Sequence, residues 1–446
     1  MPDRYLIVGS GIAGLSAAEE IRRRDIAARI TLVSAEAHPF YSRPGLAYLI
    51  AGEVPERRLT VRTPAELRDL RLERVHGSVA RLDASEHRLG LSDGRLLPFD
   101  RLLIATGAAS IAPDFAGADL EGVVRLDGLD DARRLLALAR GTREAVVIGG
   151  GSTALELVDG LIARGVKTHY LMRGERYWSR VLDPIESEIV EDRLTAEGCV
   201  LHHETEVARA LSAGKRRRLV GVETKSGQRI DCGLLAVAVG VRPRLELAHA
   251  GALETDRGIL ADDYLTTSAP DIFAAGDVAQ AHDPDTGSAT LDTLWVSART
   301  MGRTAGANMA GANTPHRKRT PMNVTRIAGV TTTIVGAVGG VDDPDLLTLT
   351  RGQSERWVSR TGSWTLTDKH AETRIRVLVG PTTIVGAVVM GDQSLSSPLA
   401  RLITESVDLT ALRPALQARP EVGIRLLTEF IRAWERGGRA EDVAVS

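Results

Sequence analysis

Two glycine clusters carry the first chemical signal in this chain. One is Gly9-Ser10-Gly11-Ile12-Ala13-Gly14, the other Gly149-Gly150-Gly151-Ser152-Thr153-Ala154. Each follows a β-branched run (Tyr5-Leu6-Ile7-Val8 and Ala145-Val146-Val147-Ile148) and precedes an alanine- and leucine-rich stretch that reads as helix. In such a turn the first glycine allows the tight strand-to-helix reversal, and the second lets a pyrophosphate approach the backbone. The third, or a small substitute such as Ala154, lets the helix lie close to the strand. The helix start then offers unpaired N–H groups and a positive dipole end to the phosphates. One such cradle predicts one dinucleotide. Two predict a flavin and a nicotinamide in one protein.

The elements that must hold these cradles are legible around them. The first β-α-β reads as strand 4–8, helix 12–24 and strand 29–34. Glu36 stands where an acidic side chain, about twenty residues past the glycines, holds ribose hydroxyls; a solvated loop glutamate is the alternative reading. Arg101-Leu102-Leu103-Ile104-Ala105-Thr106-Gly107 reads as an apolar strand whose end brings backbone amides to a ligand. A crossover from Pro113 to Asp127 and a helix over 128–140 lead into the second β-α-β, with strand 145–149, helix 153–164 and strand 167–172. Ile185, Ile189, Val190 and Leu194 give a helix over 184–197. Strand-rich sequence then closes on Leu235-Ala236-Val237-Ala238-Val239-Gly240, an echo of the segment ending at Gly107. Asp271-Ile272-Phe273-Ala274-Ala275-Gly276-Asp277 returns the chain to the first domain, and Asp277 is placed to cap a helix beginning near Val278. From 321 the pattern is β-rich, then helical over 398–406 and 421–436.

At 446 residues and 43% apolar content the chain has room for about three domains. We expect a discontinuous FAD-binding domain at 1–112 and 245–320, an NAD(P)-binding domain at 113–244, and a C-terminal α+β domain at 321–446. A net charge of −2 gives no field that favours nucleic acid or an anionic membrane. No apolar run reaches the ~18 residues of a membrane span. The first strand begins by Arg4, which leaves no room for a leader and predicts a cytoplasmic protein. Cys199 and Cys232 are the only cysteines and form no C-x-x-C or C-x4-C pair. Zinc, iron–sulfur ligation and a redox-active disulfide on this chain are therefore not expected, and both thiols read as small buried residues.

Taken in order, Gly9/Gly11/Gly14, Ala105-Thr106-Gly107, Gly149/Gly151/Ala154 with Glu156, Gly240, and Ala274-Ala275-Gly276-Asp277 resemble the FAD-dependent pyridine nucleotide-disulfide oxidoreductase superfamily. The resemblance covers about 1–310. It implies an α/β fold with two Rossmann-like dinucleotide-binding domains and a C-terminal α+β interface domain of the kind that often pairs two subunits, hence a homodimer. It also implies that FAD meets Gly9, Ser10, Gly11, Ile12, Ala13, Gly14, Glu36, Arg43, Pro44, Val79, Ala105, Thr106, Gly107, Gly276, Asp277 and Trp295. NAD(P) is implied at Gly149, Gly150, Gly151, Ser152, Thr153, Ala154, Glu156, Arg173, Arg176 and Gly240, with Glu156 beside the nicotinamide. Tyr41-Ser42-Arg43-Pro44-Gly45-Leu46 and Leu294-Trp295 look like the non-disulfide branch: ferredoxin/rubredoxin reductases and the NAD(P)H-nitrite reductase flavoprotein. Two positions depart from it: Ala47 and Tyr48 follow Leu46 where that branch has a lysine, and Met301 precedes Gly302 where a glutamine is usual.

A flavin takes a hydride as two electrons and releases them singly. With no cysteine relay, the acceptor must meet the flavin directly. The expected acceptor is an iron–sulfur or rubredoxin-like redox protein. A stand-alone reductase of oxygen or a quinone is one alternative, and a redox-sensing flavoprotein with mainly a binding role is another. Trp295 reads either as a gate at the flavin face or as core. Arg43 reads as a counter-charge to the reduced flavin or its pyrophosphate, or as a surface arginine. Met172 stands where an NADH enzyme has an acid, and Arg173 and Arg176 follow, which favours the 2′-phosphate of NADPH. Glu175 keeps NADH as the alternative. Lys215-Arg216-Arg217-Arg218 and His316-Arg317-Lys318-Arg319 read as partner-steering charge, or as a hairpin tip and a solvated crossover. His202-His203 lacks partners at metal spacing, and no metal site is assigned.

Overall fold

The computed structural model describes residues 4–60, 62–213, 217–283, 287–318, 320–338, 347–352, 356–360, 363–367, 373–419 and 422–437. The chain divides into two compact units. One comprises Met1–Pro113, Arg125–Ala137 and Val239–Lys318; the other comprises Asp114–Val124, Leu138–Ala238 and Arg319–Ser446. Lys215, Arg216 and Arg319 of the basic runs lie outside the described residues.

The chain opens with β1 (Arg4–Val8), α1 (Ile12–Arg24), β2 (Arg29–Ser34), β3 (Leu72–His76) and β4 (Arg101–Ile104). In the second unit it forms β5 (Glu144–Gly149), α2 (Ser152–Ile162), β6 (Lys167–Leu171), α3 (Pro184–Ala196), β7 (Val200–His202) and β8 (Leu234–Ala238). It returns to the first unit through β9 (Ile272–Ala274) and α4 (Trp295–Met309). The remainder is β10 (Met322–Ile327), β11 (Val330–Gly336), β12 (Arg374–Val379), β13 (Ile384–Met390), α5 (Ser396–Thr404) and α6 (Gly423–Glu435), with a short helix Arg413–Ala418 that the sequence reading had missed.

The first unit is built on a five-stranded sheet in the order β9-β4-β1-β2-β3, every pair parallel. Leu6, Ile7 and Val8 are buried, as are Leu102, Leu103 and Ile104 beside them. That continuous apolar run is what a parallel strand covered on both faces requires. α1 ends in Arg22, Arg23 and Arg24, cations at the negative end of its dipole. The second unit repeats the device in the order β7-β6-β5-β8, again parallel, with Val123–Arg125 at the edge. Its α3 starts on a capping box: Asp183 accepts from the Glu186 N–H and Glu186 from the Asp183 N–H.

In the C-terminal part, β10-β11-β13-β12 run antiparallel, and the sheet continues through Leu347–Gly352, Ser363–Thr367 and Arg356–Arg360. Leu399, Leu402, Leu427 and Phe430 of the covering helices share a core with Ile375, Val377 and Val389. Two buried arginines tie this sheet to α3. Arg376 meets Glu186 at 2.9 Å and Arg374 meets Asp183 at 2.6 Å. These pairs span about 190 positions of chain, and no local pattern announces them.

The expected helix near Val278 is absent. Gly276 turns the backbone at φ +78°, the Ala279 N–H closes onto the Gly276 carbonyl, and Ala279–Asp283 becomes a strand paired with Ile259–Ala261. Strand pairing overrides the helix propensity of Ala279-Gln280-Ala281. The run at 316–318 is not a solvated crossover either. His316 is buried, and Lys318 donates to Thr290 Oγ1 at 3.1 Å.

Candidate functional site

The two glycine turns have the same construction. Gly9 sits at φ +115°, and a Cβ there would fall 2.1 Å from the carbonyl oxygen of Ala105 at the end of β4. Gly149 sits at φ +152°, and its Cβ would fall 2.3 Å from the carbonyl oxygen of Ala238 at the end of β8. Gly14 closes on the Gly9 carbonyl, where a Cβ would come within 2.0 Å, and Ala154 takes the matching place at 2.7 Å from a Gly149 Cβ. By contrast, Gly11, Gly150 and Gly151 face open space. Gly11 and Gly151 cap α1 and α2 without a side-chain acceptor, so the first helical N–H groups are left to a ligand. Two cradles shaped this way fit two dinucleotide pyrophosphates.

Around the first cradle the structure gathers most of the residues singled out above. Ser10 Oγ lies 2.9 Å from Ser34 Oγ, and Ile12 and Ala13 open α1. Both carboxylate oxygens of Glu36 are engaged: Tyr41 Oη donates to Oε2 at 2.9 Å, and Arg43 Nη2 donates to Oε1. Arg43 Nη1 also donates to the Asp127 carbonyl, and Tyr41 Oη accepts from the Leu129 N–H at 3.0 Å. Glu36 is partly buried and paired rather than a solvated loop acid; Arg43 is exposed, as the surface reading has it, and is ion-paired to Glu36. Pro44 precedes the helix Gly45–Ala51. Val79 stands at the head of the strand Val79–Asp83, partly buried against the core.

Thr106 and Gly107 are locked to a segment that sequence reasoning missed. Arg244 Nη1 donates to the Thr106 carbonyl at 3.1 Å, Thr106 Oγ1 donates to the Arg244 carbonyl at 3.2 Å, and the Arg244 N–H reaches the Gly107 carbonyl at 3.0 Å. Gly276 brings its turn against α1, where a Cβ would meet the Ala13 Cβ at 3.0 Å. Burial pushes the Asp277 carboxyl up to about 6, while the charges of Arg43 and Arg244 oppose that rise. Trp295 opens α4 half-buried, with the Arg299 guanidinium 5.8 Å from its ring centroid.

At the second cradle Ser152 and Thr153 begin α2 and Glu156 follows one turn later, half-buried. Burial pushes its carboxyl up to about 7, and the charge of Asp159 adds to the rise. Met172 is buried, its N–H on the His202 carbonyl and its carbonyl on the Thr205 N–H. Arg173 is exposed. Arg176 is already engaged, with Nη1 on Glu175 at 2.6 Å and Nη2 on the Ser179 carbonyl at 3.3 Å. Of the two arginines assigned to a 2′-phosphate, only Arg173 projects into solvent. Gly240 takes φ +116° after β8, in the first unit. His202 stacks on His169, and His203 pairs with Glu191 at 3.1 Å.

Cys199 and Cys232 are both buried and free, and burial pushes each thiol up to about 12. A thiol held there supplies almost no thiolate at neutral pH. Among the described residues there is no cluster of three metal-ligating side chains, and no helix is long and apolar enough to cross a membrane.

The sequence profile described as pyridine nucleotide-disulphide oxidoreductase matches residues 3–311. The chain belongs to that family. It is an oxidoreductase, and its cofactors are FAD and a nicotinamide nucleotide. This family member is 27% identical, over 96% of its length and 98% of the relative's, to the NADH-dependent phenylglyoxylate dehydrogenase subunit epsilon of Aromatoleum evansii. It is 31% identical to the rhodocoxin reductase of Rhodococcus erythropolis over 70% of this chain and 73% of that one. Among solved structures, a ferredoxin reductase from Rhodopseudomonas palustris superposes with a TM-score of 0.79 at 26% identity, covering 89% of this chain and 93% of its own.

Two signals in the sequence could have been read further. Tyr41 lies two residues before Arg43, on the same loop as the acid it supports. Asp159 follows Glu156 at the spacing that stacks two side chains on one helix face. Arg244 carried no signal, because its partner is 138 residues away.

Proposed function

We propose that this oxidoreductase takes a hydride from NADPH onto FAD and passes the electrons to a small one-electron redox protein of the ferredoxin or rubredoxin kind. The observation that carries this reading is the pair of like-built cradles in a chain whose only two sulfhydryls are buried and un-ionised. The relatives' names support it, since two of the three are reductases of electron-carrier systems. Two unpaired cysteines also suit the reducing cytoplasm, which we propose as its compartment.

FAD supplies hydride acceptance and single-electron release when bound; the side chains supply the rest. The N–H groups behind Gly11 hold one pyrophosphate and those behind Gly151 the other. Glu36, steadied by Tyr41 and Arg43, orients the FAD ribose. Asp277 and the Thr106-Gly107 turn, pinned by Arg244, fix the depth of the flavin's ribityl region. Arg43 and Arg244, both acting on Asp277, would add positive charge beside bound FAD and favour its anionic groups. Trp295, held by Arg299, would shield bound FAD from water. Glu156 meets the nicotinamide, and exposed Arg173 with no acid at Met172 selects the 2′-phosphate.

Steady-state turnover tests the acceptor. NADPH oxidation should be slow in air and rise at least about tenfold with added ferredoxin or rubredoxin, a drop of about 1.4 kcal/mol in the barrier. Rapid oxidation by oxygen or a quinone alone would remove the proposal.

A further inference from the structure

The Tyr41 hydroxyl joins the Glu36 carboxylate to a helix that starts 88 residues further on. It donates to Glu36 Oε2 at 2.9 Å and accepts from the Leu129 N–H at 3.0 Å. A backbone amide can only donate, so a hydroxyl lone pair goes to Leu129 and the single hydroxyl proton goes to Glu36. Leu129 is the first residue of the helix Leu129–Ala139. Asp131, in the first turn of that helix, accepts from the N–H groups of Asp127 and Gly128 at 2.9 and 3.1 Å. The amides that lead into the helix are thereby satisfied. On the other flank the Arg43 guanidinium donates to Glu36 Oε1 and to the Asp127 carbonyl, and it lies 5.5 Å from the Tyr41 ring centroid.

Gly128 lies where these groups converge. A Cβ there would stand 3.0 Å from Tyr41 Oη, 3.5 Å from Arg43 Nη1 and 3.7 Å from Glu36 Oε1. Its φ is not in the left-handed region, so the backbone conformation does not require glycine. Space does. The nearest neighbour is a hydroxyl already held from two sides, which leaves it little room to give.

The acid is also tied to the first cradle. The Glu36 N–H donates to Ser34 Oγ at 3.1 Å, and Ser34 Oγ lies 2.9 Å from Ser10 Oγ, between Gly9 and Gly11. One hydrogen-bonded path therefore runs from the glycine turn through Glu36 to the Leu129 helix. Each carboxylate oxygen can accept twice, and each takes one side-chain contact here. With the Glu36 side chain 34% exposed, the second position on each oxygen is open to a ligand. Two adjacent acceptors match two adjacent ribose hydroxyls. As a partly exposed ion pair alone, Glu36 and Arg43 would add little to stability.

We propose that Gly128 is a positioning residue for the adenosine ribose of FAD: lacking a side chain, it lets the turn Asp127-Gly128-Leu129 close on Tyr41 and hold the Glu36 carboxylate with one acceptor position open on each oxygen. This rests on the reading that Glu36 takes that ribose beside the Gly9–Gly14 cradle. Gly128 acts through Tyr41, not on the cofactor. An alanine there would push the hydroxyl off its partners and leave Glu36 free to rotate. A carboxylate that must be ordered on binding grips a diol less well than one already held.

The test is competition of ADP and of 2′,3′-dideoxy-ADP against FAD in the full cofactor-stripped chain, followed by flavin fluorescence so that only the FAD site reports. In the unaltered protein the analogue without hydroxyls should bind about tenfold more weakly than ADP. Gly128→Ala should shrink that ratio to about threefold or less. Tyr41→Phe should shrink it equally, and Gly128→Ala added to Tyr41→Phe should change nothing further, because the oxygen at 3.0 Å is gone. Glu36→Ala should remove the discrimination altogether. General loosening of the fold would weaken both nucleotides together and keep their ratio, so a preserved ratio in Gly128→Ala would overturn the positioning role. If Glu36→Ala still abolished the ratio, the ribose reading would stand; a ratio unmoved by Glu36→Ala would overturn both. Tyr41→Phe adds no bulk and decides the matter even where Gly128→Ala does not fold: an unchanged ratio in that variant would contradict the proposal.

Discussion

Gly302 of α4 lies against Ala13 of α1 so closely that a Cβ on Gly302 would fall 2.2 Å from the Ala13 carbonyl oxygen. Gly306 repeats the contact one turn later, 2.5 Å from the carbonyl oxygen of Ala17. The helix that opens at the first glycine cradle is thus set by backbone-to-backbone approach, with no flexible side chain to absorb an extra methyl group.

Gly302→Ala should therefore separate the two helices. We expect a loss of about 1–3 kcal/mol in stability together with a lower FAD content in the purified protein. Thermal melting and the flavin-to-protein absorbance ratio check both, and an unchanged ratio would mean that this contact does not set the cradle.

Arg244→Leu removes the donor to the Thr106 carbonyl and one of the two cations acting on Asp277. The FAD dissociation constant should rise about tenfold, near 1.4 kcal/mol, as read by titrating cofactor-free protein with FAD. Arg244→Lys should recover only part of the loss, because an ammonium does not reproduce the guanidinium's planar array of donors.

Buried carboxyls give the pH dependence its sign. Glu156 and Asp159 are pushed up to about 7 and Asp277 to about 6. A raised carboxyl contributes stability that is full below its unfolded pKa and lost as pH rises through the folded value. The cofactor-free protein should therefore lose thermal stability between about pH 4 and about pH 7. Asp277→Asn should flatten the lower part of that fall in a calorimetric series.

The proposed preference for NADPH rests on Met172 and Arg173. Introducing Met172→Glu with Arg173→Ala should lower the ratio of kcat/KM for NADPH over NADH by at least about tenfold. An unchanged ratio would mean that Met172 and Arg173 do not set the nucleotide preference.

What the sequence disclosed and what it withheld divide along sequence distance. Helix 12–24 and strand 29–34 were predicted to the residue, because a β-branched run, a glycine turn and an alanine-rich helix are all local signals. The second cradle was equally plain. The reciprocal lock of Arg244 on Thr106, and the pairing of Arg374 and Arg376 with Asp183 and Glu186, join segments more than a hundred residues apart and left no periodicity to read. The helix expected near Val278 failed for a related reason. Its residues favour helix alone, but their partner strand, Ile259–Ala261, had no strong pattern of its own. Glu36 was singled out from its spacing, while Tyr41, five residues on in the same loop, was not read as its hydrogen-bond partner.

The central claim is that electrons pass through a flavin with no sulfur relay on the chain, and anaerobic titration of the FAD-loaded protein with NADPH tests it most directly. One equivalent of NADPH per flavin should bleach the flavin absorbance completely, with the thiol count unchanged before and after. A requirement for two equivalents, with new thiols appearing as the second is consumed, would show a second two-electron centre and contradict the account.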